Sequence, residues 1–220
     1  MIQLFKNSSS IWLIVLVQFF WGCKSNKAET TLPFINKPDF TPEWISEDSI
    51  AYPKIHTIPA FSFYDQDGKI VTEKTITGKI YVANFIFTRC AGICPVMTSN
   101  MNILQQKFKD DDEVIFLSHS VTPDIDSVPV LKKYALDKGV ISGKWHLLTG
   151  NQKEIYRIAR QEYFAGDTIG YYQTGNEFLH TENFILVDKK KRIRGVYNGT
   201  LALEMDRLIV DIETLQQEED

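Results

Sequence analysis

Ile80-Tyr81-Val82-Ala83-Asn84-Phe85-Ile86-Phe87-Thr88-Arg89-Cys90-Ala91-Gly92-Ile93-Cys94-Pro95-Val96-Met97 is the stretch on which the reading of this chain turns. Ile80 to Phe87 is a nearly continuous apolar run broken only by Asn84, as expected of a central strand covered on both faces. Pro95 fits a first helical turn, where its missing N–H costs nothing. Met97, Met101, Leu104 and Phe108 then recur at four, three and four residues, which is one face of a helix. Between strand and helix stand two cysteines, Cys90 and Cys94. A dithiol placed there can hold a metal ion or close a disulfide.

Outward from this unit, strands and helices alternate. Phe61–Tyr64 and Lys69–Val71 flank Asp65-Gln66-Asp67-Gly68, a hairpin signal with an Asp-Gly turn. After the cysteine helix, Val114–Leu117 reads as a strand and Ser127–Lys138 as a capped helix carrying Leu131, Tyr134 and Ala135. Trp145–Leu148 reads as a short strand. Asn151 and Glu154 open a helix to about Gln161 in capping-box fashion. Phe184–Val187 and Ile193–Tyr197 form a hairpin around the polar run Asp188–Arg192. Thr200 precedes a last helix with Leu201, Met205, Leu208, Ile209 and Ile212 inward. The expectation is a layered α/β protein with the thioredoxin-like plan: an N-terminal β-hairpin, a βαβ crossover, and a closing hairpin with a helix. Tyr163–Leu179, rich in glycine and aromatic residues, breaks the pattern as an insertion before the last hairpin.

The first residues stand apart from the domain. Lys6 supplies a basic start, and Ile11–Trp21 is apolar except for Gln18. About 20 apolar residues are needed to span a bilayer, so the run reads as the core of an export signal. Gly22-Cys23 follows at once and resembles a bacterial lipoprotein signal, with Cys23 as the lipidated residue. The expected division is a signal peptide over 1–22, a tether over 23–53 and a domain over 54–220. Lipid on Cys23 would leave Cys90 and Cys94 as the only pair among three cysteines. Export would put that pair outside the reducing cytosol, in the periplasm, on a membrane-anchored protein. The net charge of −4 gives no sign of nucleic-acid binding.

On a regular helix, residues i and i+4 hold their Cβ atoms about 5–6 Å apart, whereas a disulfide wants about 3.8 Å. The spacing therefore leans toward a shared metal without excluding a disulfide. A closed zinc site normally takes four protein ligands, while soft thiolates with an imidazole suit Cu(I). Of the four histidines, His180 sits at the junction of the insertion and the Thr181–Val187 strand and is the best third ligand. His119, at the end of the strand next to the cysteine strand, is second. His56 and His146 read as ordinary structural histidines. Met97 and Met101 are soft donors, but their period assigns them to the core. Lys189-Lys190-Lys191-Arg192 reads as a solvated turn, and Asp110-Asp111-Asp112-Glu113 as a loop without the turn glycine of a calcium site.

Phe87–Met97 resembles the cysteine motif of the Sco/SenC family. Leu179-His180-Thr181 with Phe184–Asp188 is similar to its histidine motif, and Gly78–Val82 and Gly195–Thr200 fit as well. The resemblance covers about His56 to Glu213. It implies a membrane-tethered, thioredoxin-like copper metallochaperone, not an enzyme, that binds copper as Cu(I), with Cu(II) as the alternative state, through Cys90, Cys94 and His180. The implied partner is an apo-cytochrome c oxidase copper subunit, for assembly of the copper A centre. Two positions depart from the family pattern: Thr122 stands where an aspartate is common, with Asp126 kept, and Ala91 replaces a proline. The competing reading is a thiol–disulfide oxidoreductase that keeps target cysteines reduced. A peroxiredoxin-like peroxidase is a third, lacking any visible peroxide-attacking motif.

Overall fold

The computed structural model describes residues 31–166 and 181–218. The chain opens with the short strands β1 (Phe34–Ile35) and β2 (Pro42–Glu43), followed by the hairpin β3 (Ser62–Tyr64) and β4 (Ile70–Thr72) and a single helical turn, α1 (Glu73–Ile76). Then come β5 (Ile80–Ile86), α2 (Cys94–Lys107), β6 (Val114–Ser120), α3 (Val128–Lys138) and β7 (Trp145–Leu148). Helix α4 (Gln152–Arg157) leads to β8 (Asn183–Val187), β9 (Ile193–Asn198) and α5 (Ala202–Gln217). Strands β5 to β9 form one mixed sheet in the order β7-β6-β5-β8-β9. The pairs β5–β6 and β6–β7 are parallel, and β5–β8 and β8–β9 are antiparallel. The expected α/β, thioredoxin-like layout is the one observed.

Every residue of β5 is buried because both faces of the sheet are covered. Ile80, Val82 and Ile86 pack with Met97, Met101, Leu104 and Phe108 of the α2 segment and with Leu208 and Ile212 of α5. Tyr81, Ala83 and Phe85 face the other way, onto Phe61, Phe63, Ile155 and Tyr163. The period-2 alternation of a strand makes this division. Asn84, the one polar residue of β5, accepts from Ser118 Oγ at 2.5 Å, and Trp145 Nε1 donates to that hydroxyl at 2.8 Å. Such a chain links three strands inside an otherwise apolar layer.

Some details depart from expectation. Asp65 and Gln66, read as part of a hairpin turn, are buried. Asp65 Oδ1 accepts from the N–H groups of Asp67 and Lys69, and its other oxygen meets His146 Nδ1 at 2.9 Å. Gln66 bonds the β7 backbone at Trp145 and Leu147. The Asp-Gly turn thus doubles as a plug for the sheet edge, with Gly68 at a φ of 73°. Helix α4 is shorter than predicted, because the chain continues as a π-helical turn over Ile158–Glu162. Residues 31–55 pack on the domain: Arg194 donates to the carbonyls of Leu32 and Pro33 and stacks on the Phe34 ring at 4.4 Å. The export signal, Cys23 and His180 lie outside the described residues, as does the insertion beyond Gly166.

Candidate metal centre

The cysteine loop starts where β5 ends. Val121 N–H donates to the Ile86 carbonyl at 2.9 Å, carrying the β5–β6 pairing to its limit. The chain then turns, with Cys90 N–H donating to the Phe87 carbonyl at 3.2 Å. Cys94 is the first residue of α2 and Pro95 the second. Cys90 is therefore in the loop, not on the helix, and the helical i, i+4 separation does not apply to the pair. Both thiols are free, Cys90 four residues ahead of Cys94 across the loop. Gly92 does not use a positive φ, so the loop does not depend on a glycine's extra backbone freedom there.

The two thiols differ. Cys94 is buried and Cys90 half-buried. Burial pushes the Cys94 thiol up to about 12, opposed by the Phe87 backbone N–H and reinforced by the neighbouring Cys90 sulfur. For Cys90, partial burial works upward, but the Cys94 thiol and the N–H groups of Cys94, Gly92 and Ile93 outweigh it and lower the pKa. The result is an accessible thiol whose pKa is lowered beside a sheltered one whose pKa is raised. This arrangement can share a thiolate with a soft cation after Cys94 deprotonates, or attack a disulfide from Cys90 with Cys94 in reserve.

Behind the loop is a buried carboxyl group that sequence reasoning singled out only as a family position. Asp126 is fully buried. Its Oδ1 accepts from Thr88 Oγ1 at 2.5 Å. Its Oδ2 accepts from Thr88 N–H (3.2 Å), Ser120 Oγ (2.6 Å) and Thr122 Oγ1 (3.0 Å). The sequence signal was available only as Thr88 two residues before Cys90 and Asp126 four after Thr122. Nothing local couples residues 88 and 126.

The histidines separate clearly. His56 Nε2 is 2.8 Å from the Glu162 carbonyl, and His146 is held by Asp65. His119 is fully buried against Phe61, Phe63, Phe85 and Tyr163, on the sheet face opposite α2. It is turned away from the thiols and is no ligand candidate. Met97 and Met101 are buried in the core beneath α2. Among the described residues no three His, Cys, Asp or Glu side chains gather to hold a metal. The basic hairpin turn is bound into the domain: Arg192 pairs with Asp188 at 2.8 Å and Lys189 with Glu113 at 3.4 Å. No described helix is long and apolar enough to cross a membrane.

The chain matches the SCO1/SenC family over residues 51–217. A SCO1/SenC family lipoprotein from Bacillus anthracis str. Ames is similar in structure, with a TM-score of 0.64 and 30% identity over 74% of this chain and 96% of that one. BsSco, a member of the Sco family of cytochrome c oxidase assembly proteins in which a disulfide switch was identified, has a TM-score of 0.62 and 31% identity, covering 79% and 98% of the two chains. Arabidopsis thaliana ScoI, solved with copper bound, has a TM-score of 0.55 and 26% identity, covering 73% and 98%.

Proposed function

The chain belongs to the SCO1/SenC family, and from that premise we propose that it is a copper metallochaperone whose cargo, Cu(I), is held by Cys90, Cys94 and His180. The observation that carries this reading is the free dithiol at the end of β5, Cys90 in the loop and Cys94 at the first position of α2. Two soft sulfurs suit Cu(I), which accepts two or three ligands and can be passed on by ligand exchange. His180 is three residues ahead of β8, and β8 runs antiparallel to β5, so the strand begins at the end of the sheet where β5 stops. The cargo's destination in this reading is the copper A centre of an apo-cytochrome c oxidase subunit.

Anaerobic competition for Cu(I) tests it. Cys90→Ala, Cys94→Ala and His180→Ala should each bind more weakly than the parent, with the cysteine variants losing most. Parent-like affinity in all three would end the assignment.

A second reading is favoured by the unequal thiols. Cys90 as attacking thiolate and Cys94 as resolving thiol would reduce a target disulfide to two thiols while the pair closes its own disulfide, which an external thiol must reopen for each further turnover. It predicts turnover on a protein disulfide that survives His180→Ala, and absence of such turnover counts against it. In this reading the export signal and lipid on Cys23 would anchor either activity at a membrane, facing the periplasm; a similar structure is that of a SCO1/SenC family lipoprotein. Fatty-acid labelling of the parent but not of Cys23→Ser is the expected result.

A further inference from the structure

We propose that Asp126 is the positioning residue of the dithiol, acting through Thr88 to hold the loop that presents Cys90; this rests on the reading of Cys90 and Cys94 as the working pair. Asp126 lies just ahead of α3, and its own N–H closes a turn onto the Thr122 carbonyl at 2.8 Å. A carboxylate buried this completely is costly unless donors meet it. All four side-chain contacts are donated to Asp126, which is the pattern of an acceptor-only carboxylate. No ion pair among the described residues involves it.

Its partners divide into two kinds. Ser120 and Thr122 are local, six and four residues away, and could close this turn without a carboxylate. Thr88 is 38 residues away and gives two hydrogen bonds, one from its backbone N–H and one from its hydroxyl. What the charged group adds is therefore the link between two loops at the same end of the sheet. Hydrogen bonds to a charged acceptor are stronger than neutral ones, and a two-point grip fixes both the position and the rotation of residue 88. Cys90 follows two residues later, in a turn tied by its own N–H to the Phe87 carbonyl. The grip holds Cys90 in the turn ahead of Cys94, among the N–H groups of Gly92, Ile93 and Cys94. Held in advance, the thiols need less ordering when they take a metal. The grip belongs to the dithiol form, so losing it shifts the pair toward the disulfide.

The test compares full-length Asp126→Asn, Thr88→Val, Thr88→Ser and Ser120→Ala in detergent. It uses anaerobic Cu(I) competition, the reduction potential of the Cys90–Cys94 pair, and the melting temperature of the reduced, copper-free protein. Thr88→Val and Asp126→Asn should weaken Cu(I) binding about tenfold. They should also move the dithiol–disulfide equilibrium about tenfold toward the disulfide, about 30 mV. Thr88→Ser keeps both donors and should restore parent values. Ser120→Ala should lower the melting temperature and leave the potential in place. A lowered melting temperature in Thr88→Val and Asp126→Asn, with affinity and potential both at parent values, would reduce Asp126 to a structural residue and overturn the proposal. If Asp126→Asn does not fold, Thr88→Val decides alone. If the parent takes no Cu(I), the copper reading fails, and the potential still judges the role of Asp126.

Discussion

Cys90 and Cys94 are chemically identical in sequence and unlike in the fold. The accessible thiol is set among backbone N–H groups and the inner one is buried, so their pKa values part in opposite directions. With limiting iodoacetamide near neutral pH, Cys90 should be alkylated well before Cys94 in the reduced protein. Peptide mass spectrometry would reveal the order, and equal labelling would contradict the asymmetry.

His119 offers a second test at this scale. Burial lowers its pKa from 6.5 to about 4, and its ring nitrogens have no hydrogen-bond partner among the described residues. At pH 7 it is neutral in both the folded and unfolded chain, so it costs nothing in protonation. Below about 6.5 the unfolded chain takes up a proton that the folded chain refuses. Stability should therefore fall as the pH drops from about 6.5 to 4, by ~3 kcal/mol in total. Urea unfolding at pH 7 and pH 4.5 should show a smaller loss in His119→Leu than in the parent; equal losses would assign the acid sensitivity to other groups.

Among the elements, the strand-to-helix unit β5–α2 was readable because two periods meet within it, the continuous run of a doubly covered strand and the 3.6-residue period of a helix. The same period identified Met97 and Met101 as core residues, and both are fully buried. Met101→Leu should cost less than about 1.5 kcal/mol and leave thiol reactivity unchanged, whereas Leu104→Ala should cost about 2–5 kcal/mol by opening a cavity under the sheet. Chemical denaturation measures both. The π-helical turn after α4 was not readable, since nothing in Ile158–Glu162 differs in composition from an ordinary helix end. The buried Asp65 and Gln66 were not readable either. Their residue types belong to turns, and only the approach of β7 supplies the buried partners that keep them inside.

Over the whole molecule, the two ends of the sheet carry different duties. The cysteine loop, the β6–α3 turn with Asp126 and the start of β8 share one end. The N-terminal arm is fixed at the other, where Arg194, buried, joins Asp188, Glu218 and the backbone of residues 32 and 33. Strand β5 alone separates these ends by about 23 Å, at about 3.3 Å per residue over seven residues. Arg194→Ala should cost about 1–3 kcal/mol, because Glu218 and the carbonyls of residues 32 and 33 lose their donor while Asp188 keeps Arg192. Hydrogen exchange should then rise across residues 31–43 while β5 and β6 stay protected. Unchanged exchange in the arm would show that Phe34 and Ile35 hold it by packing alone.

The sequence by itself determined the order of elements, the thioredoxin-like α/β plan and the placing of a dithiol between the central strand and its helix. Those follow from local periodicity and turn chemistry, which a chain carries within a dozen residues. The tertiary structure alone decided which thiol is buried, which face of β6 His119 occupies relative to α2, and that Asp126 reaches Thr88. The physical reason is common to all three. Burial, sheet-face parity and hydrogen bonds across 38 residues depend on which segments are neighbours in space. No local pattern around Cys90 encodes that a carboxylate from another loop will hold it in place.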